Sequence, residues 1–221
     1  MAPLPKFGLQ LKDWTSEGSR RFLQAIPSTE QLEEAARFII DLLYPHETTI
    51  PDIASVTFII TSNRVLKSFQ AIAYQCENDL DDSHREIHIY SKWLEELDET
   101  AYQFELLGVI RHELVHCFQP VPHASVPPGL IEGIADWVRL RSGLGREEWK
   151  ASSEGRWDQG YDHTAYFLEY LSRRFDDSVV VGLNQRTFSG EIDDGLWAEL
   201  CGEKIDRLWI DYGASLKSTQ H

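Results

Sequence analysis

The sequence predicts a protein of the α+β class. Apolar residues recur at helical spacing near the N-terminus, the middle of the chain is rich in β-branched and alternating residues, and helical spacing returns over the second half. The chain has 221 residues, of which 42% are hydrophobic and 26% charged, which is enough to bury one core. We therefore expect a single domain over residues 1–221, with a helical N-terminal part at 1–50 and a C-terminal helical tail at 196–221.

The N-terminal half is expected to supply one helix and a small mixed sheet. Apolar residues every three or four positions predict a helix over residues 28–43, which Pro45 closes. A continuous β-branched run at 55–62 predicts a central, buried strand. Residues 71–75 are a weaker strand candidate, and the period-two alternation at 85–90 is typical of a half-exposed strand near a sheet edge.

The C-terminal half is expected to be mainly helical. A long helix is predicted at 98–119, where Pro120 stops it. A second helix is predicted at 127–143, because proline is tolerated in the first turn of a helix. A third follows at 161–175, and residues 196–216 are expected to form one or two more.

The charge pattern limits the partners. Asp and Glu number 36 against 21 Lys and Arg, so the net charge is −15, and an acidic surface repels nucleic acid. No apolar run approaches the roughly 18 residues that a membrane span needs, so no membrane partner is expected. The first residues lack the apolar segment of a secretory signal, which predicts a cytoplasmic protein for the sequence as written, or else a mature form or unconventional export.

The three cysteines, Cys76, Cys117 and Cys201, do not form the even-numbered set of a disulfide framework. We expect free, buried thiols. His84 and His88 have no partner at metal-ligand spacing, so they are predicted to be surface or sheet residues.

The strongest chemical signal is the run H-E-L-V-H at 112–116. His112 and His116 are four residues apart, so a helix presents both imidazoles on one face, where they can bind one ion at roughly 2.0–2.1 Å. Glu113 is turned away from that pair and can reach a water on the ion without binding the ion itself. This spacing is typical of zinc peptidases and predicts one bound Zn²⁺ ion.

Two carboxylates on the next predicted helix can complete the site. Glu132 and Asp136 are also four residues apart, in the run E-G-I-A-D, and share one helical face. We expect Glu132 to be the third metal ligand and Asp136 to accept the outer N–H of a metal-bound histidine. Two alternatives stay open, in which Asp136 binds the metal directly or the pair is a solvated polar stripe.

The metzincin arrangement of such sites is excluded. It requires glycine and histidine at the positions of Gln119 and Pro122, and a methionine turn, whereas Met1 is the only methionine. The gluzincin arrangement, in which a glutamate is the third ligand, is therefore expected.

Tyr161 is the first candidate for stabilising an oxyanion, because a phenol can donate a hydrogen bond to the developing charge. His163 and Tyr166 lie on the same segment and stay open as alternatives. A packing role for Tyr161 also stays open.

Three runs in combination resemble the basic secretory protein family of zinc-dependent peptidases: G-V-I-R-H-E-L-V-H-C-F-Q, G-L-I-E-G-I-A-D-W-V-R-L and W-D-Q-G-Y-D-H-T-A-Y-F-L-E-Y-L. The tail run L-C-G-E-K-I-D-R-L-W-I-D-Y is similar to the C-terminal helix of that family. The resemblance extends over residues 55–216. It implies a zincin-like α+β domain with a metal site on His112, His116 and the E-G-I-A-D segment. It also implies secretion, although this chain is acidic, with a pI of about 4.9.

Together these inferences predict zinc-dependent hydrolysis of a peptide or protein substrate, with Glu113 as general base. The strand at 85–90 is expected at the sheet edge beside the cleft, where an extended peptide can pair with it. Two other functions stay open. One is a binding or defence-related protein with a non-catalytic zinc site, and the other is a metal-dependent hydrolase of a non-peptide amide.

Overall fold

The structure, a computed structural model, describes residues 3–45, 50–62, 71–78, 81–190 and 192–218. It confirms the α+β class, because the described residues form one four-stranded mixed sheet and nine helices. The chain divides into two compact units, Met1–Ile40 with Glu47–Phe118 and Asp41–His46 with Gln119–His221.

The four strands belong to the first unit and are β1 (Lys6–Leu11), β2 (Ser55–Thr61), β3 (Ala73–Asn78) and β4 (Asp81–Tyr90). The helices that begin in this unit are α1 (Glu17–Ala25), α2 (Glu30–Leu43), α3 (Ser91–Glu96) and α4 (Tyr102–Phe118). The helices of the second unit are α5 (Pro128–Arg141), α6 (Tyr161–Phe175), α7 (Ser178–Arg186), α8 (Asp194–Cys201) and α9 (Ile205–Ser218).

The strand order of the sheet is β1-β2-β4-β3. β1 and β4 each pair parallel to β2, and β3 pairs antiparallel to β4, so the predicted small mixed sheet is confirmed. The edge position predicted for residues 85–90 is wrong, because β4 lies between β2 and β3. Among the described strands, β3 is the outer strand on that side. The alternation at 85–90 reports the two faces of the sheet, and it carries no information about which strands lie beside it.

On one face of the sheet the two inner strands are fully buried. They place side chains there that have no exposed surface, namely Val56, Phe58, Ile60, Ile87 and Ile89. The ring of Phe22 from α1 lies 6.0 Å from that of Phe58. This apolar layer forms the core of the first unit.

The helix α4 is buried around most of its circumference, since every residue of 109–115 is buried. Buried charges need partners. Arg111 donates a hydrogen bond from Nη1 to the carbonyl oxygen of Ala35 in α2 at 3.1 Å. Its guanidinium also lies 4.8 Å from the ring centre of Phe38. These contacts anchor α4 to α2 within the first unit.

Aromatic rings form the core of the second unit around Phe167 of α6. Its ring centre lies 5.1 Å from that of Trp209, 5.5 Å from Tyr212 and 6.3 Å from Trp197. Trp157, in the loop before α6, meets Trp197 edge to face at 5.2 Å. The loop that leads into α6 is therefore attached to the core by a large apolar side chain.

Most of the predicted helices are confirmed. α6 has the predicted bounds, α5 has Pro128 in its first turn, and the predicted tail is the pair α8 and α9. The long helix begins at Tyr102, four residues after the predicted start. The elements β1, α1, α3 and α7 were not predicted. α1 carries a visible signal, because the side chain of Ser16 caps its N-terminus by accepting from the amide of Ser19.

The three cysteines form no disulfide with one another. Cys117 and Cys201 are buried as predicted, whereas Cys76 is only half-buried. No helix in the described part of the chain is both long and apolar enough to cross a membrane.

Candidate metal centre

The predicted histidine pair converges on α4. Nε2 of His112 and Nε2 of His116 lie 3.1 Å apart, with the two rings nearly perpendicular at 81°. His112 is buried and His116 is half-buried. The spacing of four residues explains this arrangement, because it places both side chains on one face of the helix about one turn apart.

The separation of the two nitrogens fits a shared cation. Two nitrogens bound to zinc at tetrahedral angles stand about 3.3 Å apart, close to the distance between the histidines. Two facing Nε2 atoms either share one proton or direct both lone pairs at a positive ion. The two imidazoles are therefore suited to act as two ligands of one metal ion.

Glu113 lies between the histidines in sequence and is buried, with 7% of its surface exposed. Burial raises the pKa of the neighbouring Cys117 thiol, and the charge of Glu113 raises it further. Cys117 is therefore a buried core residue whose thiol is protonated at neutral pH. This agrees with its predicted role.

Arg111 is a residue whose role the motif does not reveal. Burial lowers the pKa of its guanidinium, and the charge of Glu34, at 3.5 Å, opposes that shift. Because Arg111 directly precedes His112, its bond to Ala35 sets the position of the helical turn that begins the motif. The sequence signal for it is a charged residue on a helix face that is otherwise apolar.

The helix α5 of the second unit carries Glu132 and Asp136 one turn apart. Asp136 is buried, with 3% exposed, and Glu132 is half-buried. The burial of Asp136 argues against the solvated stripe that was left open for this pair. A buried carboxylate at this position needs a positive or hydrogen-bonding neighbour.

Glycines allow α5 to approach α6 and the loop before it very closely. A Cβ at Gly129 would lie 2.0 Å from the carbonyl oxygen of Asp158. A Cβ at Gly160 would lie 3.7 Å from the Cβ of Glu132. The second unit therefore brings the start of α6, where Tyr161 lies, beside the turn of α5 that carries Glu132.

Tyr161 begins α6 in a conformation that is rare for a residue with a side chain. Its φ is +48°, and the preceding Gly160 has φ +97°. A left-handed backbone at a non-glycine residue stores strain and is concentrated at functional sites. Tyr161 is also 58% exposed, which is unusual for a large aromatic residue.

The two alternatives to Tyr161 have structural roles in the second unit. His163 Nε2 lies 2.9 Å from the carbonyl oxygen of Arg156, and its ring packs against Trp209. The hydroxyl of Tyr166 donates to the carbonyl oxygen of Trp149 at 3.5 Å, and burial raises its pKa. Both side chains therefore contribute to the packing of the second unit.

An α+β chain whose buried helix carries two convergent imidazoles around a glutamate has the features of a hydrolase. The chain belongs to the BSP family, which is described as peptidases of plants and bacteria. The model of this family matches residues 4–212. The predicted family is thereby confirmed.

One similar protein is the "Basic secretory protease" of Boswellia serrata, which is 36% identical over 59 residues. The matched segment is 27% of this chain and 64% of that protein, so the chain spans less than two thirds of the length of this relative. No solved structure matches the chain.

Proposed function

We propose that this chain is a zinc-dependent endopeptidase of the gluzincin type with a zincin-like fold. The observation that carries the proposal is the 3.1 Å separation of Nε2 of His112 from Nε2 of His116, with Glu113 between them on the same buried helix. Membership of a peptidase family supports the reaction class and a peptide or protein substrate.

Three side chains are proposed to hold one zinc ion: His112, His116 and Glu132. Two imidazoles and a glutamate are a common ligand set of catalytic zinc, and they leave one position open. Asp136 is proposed to accept the outer N–H of a ligand histidine and thereby to set its orientation. If Asp136 is instead the third ligand, the same ion is held by a shorter side chain.

When bound, zinc would polarise the scissile carbonyl and lower the pKa of the attacking water towards neutrality. Glu113 accepts the proton of that water as the water attacks, and it later delivers a proton to the leaving amine. Its burial supports this role, because a carboxylate that is shielded from bulk water exchanges protons with the substrate more readily than with solvent.

Tyr161 is proposed to donate a hydrogen bond to the oxyanion. Its exposure and strained backbone support this assignment, since an oxyanion donor has to be held in place and remain accessible to the substrate. The strain is maintained because the turn before it is held in place. The amide of Gly160 donates to Oγ1 of Thr164, which donates to the carbonyl oxygen of Trp157.

The substrate is proposed to bind as an extended peptide along β3. The prediction named residues 85–90 for this role, but β4 is paired on both sides. β3 is the outer strand among those described, and a peptide can add to such an edge through main-chain hydrogen bonds. β3 also packs against α4, the helix that carries the histidines.

Secretion is stated only in the name of the Boswellia serrata relative. We extend it to this chain as part of the proposal.

The proposal is tested with Glu113→Gln. We expect this variant to bind as much zinc as the wild type and to hydrolyse an unfolded protein about 10²–10⁴-fold more slowly, because it lacks the general base. Glu203→Gln, at an exposed position, is the matched control and should keep full activity.

Equal activity in Glu113→Gln and wild type would contradict the mechanism, and so would a wild-type protein that binds no zinc. Zinc binding without hydrolysis in the wild type would identify a non-catalytic binding protein. Cleavage of small amides but not of peptides would identify a metal-dependent hydrolase of non-peptide amides.

A further inference from the structure

The antiparallel pairing of β3 with β4 brings three metal-ligating side chains together. Cys76 lies opposite Glu86, and Tyr74 lies opposite His88, so all four side chains share one face of the sheet. One ligand atom from each of Cys76, Glu86 and His88 can be chosen so that all three lie within 4.8 Å of one another. Residues 76 and 86 are distant enough in sequence that no motif spacing indicates this group.

The donor set suits a divalent ion that binds both sulfur and nitrogen. A thiolate and a carboxylate together supply two negative charges, which match a 2+ cation, and the imidazole adds a neutral nitrogen. Cysteine, histidine and glutamate are all common ligands of zinc, whereas calcium and magnesium avoid sulfur. Each of the three side chains is half-buried, so a fourth position can be filled by water.

The ring of His88 is already held in place. Its Nε2 lies 2.9 Å from Oε2 of Glu86, and Tyr74 stacks on it with the ring centres 4.8 Å apart and the planes within 7° of parallel. An imidazole that is fixed before binding loses little freedom when it takes a ligand.

The other ring nitrogen of His88, Nδ1, lies on the ring edge that faces away from Nε2 and Glu86. Nδ1 is buried and has no hydrogen-bond partner among the described residues. An ion shared with Glu86 would therefore bind Nε2, and Nδ1 stays outside the proposed set of ligand atoms.

We propose that Cys76, Glu86 and His88 form a second zinc site on the sheet, separate in its residues from the site on α4. The ion would link β3 to β4 through side chains, and β3 is the outer strand of the described sheet. Zinc binding there would strengthen the attachment of this strand. The proposal does not rest on the proposed peptidase activity, because Cys76, Glu86 and His88 are neither ligands of the site on α4 nor its general base, although Cys76 lies on the strand proposed to bind the peptide.

Cobalt(II) tests this site directly, because a cobalt–thiolate bond gives an intense near-ultraviolet charge-transfer absorption and the proposed site on α4 has no sulfur ligand. We expect saturating cobalt, which fills both proposed sites, to produce this absorption in the wild-type protein. Cys76→Ser should abolish it, and His88→Ala should weaken cobalt binding at least tenfold. Cys201→Ser, in the second unit, is the matched control and should keep the full absorption.

A double variant, His112→Asn with His116→Asn, separates the two proposals. It should retain the charge-transfer absorption, and zinc should still raise its melting temperature. No such absorption at saturating cobalt, or an absorption that survives in a folded Cys76→Ser protein, would overturn the second site. Circular dichroism of each variant establishes that it is folded.

Discussion

Gly133 of α5 packs directly against Thr164 of α6, so that a Cβ at Gly133 would lie 2.3 Å from Cγ2 of Thr164 and 2.5 Å from its Cβ. Thr164 cannot move away easily, because its hydroxyl is bonded on both sides of the turn that precedes α6. Gly133, which directly follows Glu132, therefore sets how closely α5 and α6 approach.

Gly133→Ala is expected to destabilise the protein by about 1–3 kcal/mol, because the added methyl group overpacks the contact with Thr164. In a helix without this contact, the same change would stabilise by about 0.5–1 kcal/mol. Urea unfolding measures the free energy of unfolding of the variant and the wild type, and the sign of the difference shows whether overpacking against Thr164 outweighs the gain in helix propensity.

Ala198→Gly, at an exposed position of α8, calibrates helix propensity and should destabilise by up to about 1 kcal/mol. An alanine variant at 133 that is more stable than the wild type would show that the helices have room to separate.

Glu132→Gln and Asp136→Asn distinguish the third ligand from the residue that orients a ligand. If Glu132 binds zinc, Glu132→Gln should lose the ion from the site on α4. Asp136→Asn should keep the ion with about 10–100-fold weaker affinity, as is usual for a residue that supports a ligand. Zinc titration, with Cys76→Ser as the common background, measures both effects. The reverse order of affinities would identify Asp136 as the ligand.

Tyr161→Phe is expected to lower kcat by about 10²–10³-fold with little change in KM, because the lost hydroxyl acts only on the charge that develops in the transition state. Steady-state kinetics on a peptide substrate measure the two constants. Tyr166→Phe is the matched control, and it should leave kcat near the wild-type value since its hydroxyl bonds to the backbone of Trp149. Similar losses in both variants would contradict the assignment.

The ion pair between Asp158 and Arg156 is expected to stabilise the protein at neutral pH and to lose this effect in acid. The Arg156 guanidinium, bonded to both of its oxygens, holds the pKa of Asp158 below the usual value of 3.8. A depressed pKa in the folded state contributes stability above the unfolded pKa, and this stability is lost as the pH falls through the folded pKa. Because Arg156 is largely exposed, solvent screens the ion pair and its contribution to stability is small.

Asp158→Asn should therefore be less stable than the wild type at pH 7, and the two proteins should converge at pH values below the folded pKa. Chemical unfolding at pH 7 and at about pH 2, on either side of the usual carboxyl pKa, measures the difference in the free energy of unfolding between the two proteins. Glu203→Gln serves as the control. A difference that stays constant across this range would assign the effect to packing of the loop rather than to the ion pair.

The predictions that succeeded depend on local sequence. The bounds of α6, the proline at the start of α5 and the strand β2 all follow from residues that are neighbours in the chain. The facing of His112 and His116 has the same origin, because a spacing of four residues and the helical pitch place both rings on one face. Family membership follows from the same local runs.

The predictions that failed, and the features that were missed, depend on contacts between distant segments. β1 pairs with β2, which begins at Ser55, so the six residues of β1 carry little information about whether they form a strand. The alternation of β4 correctly indicated one buried face, but the neighbours of β4 are set by sheet order. Cys76 and His88 meet Glu86 only because β3 folds back on β4 in one particular register.

The sequence by itself determined the class of fold, the helical histidine pair and the family, because helical periodicity and motif spacing act over a few residues. The tertiary structure alone decided which strand lies outermost, how closely α5 approaches α6, and which side chains meet across β3 and β4. The physical reason is that strand pairing and helix contact are set by the fit of surfaces far apart in the chain. At Gly133 and Thr164 that fit leaves no room for a single methyl group.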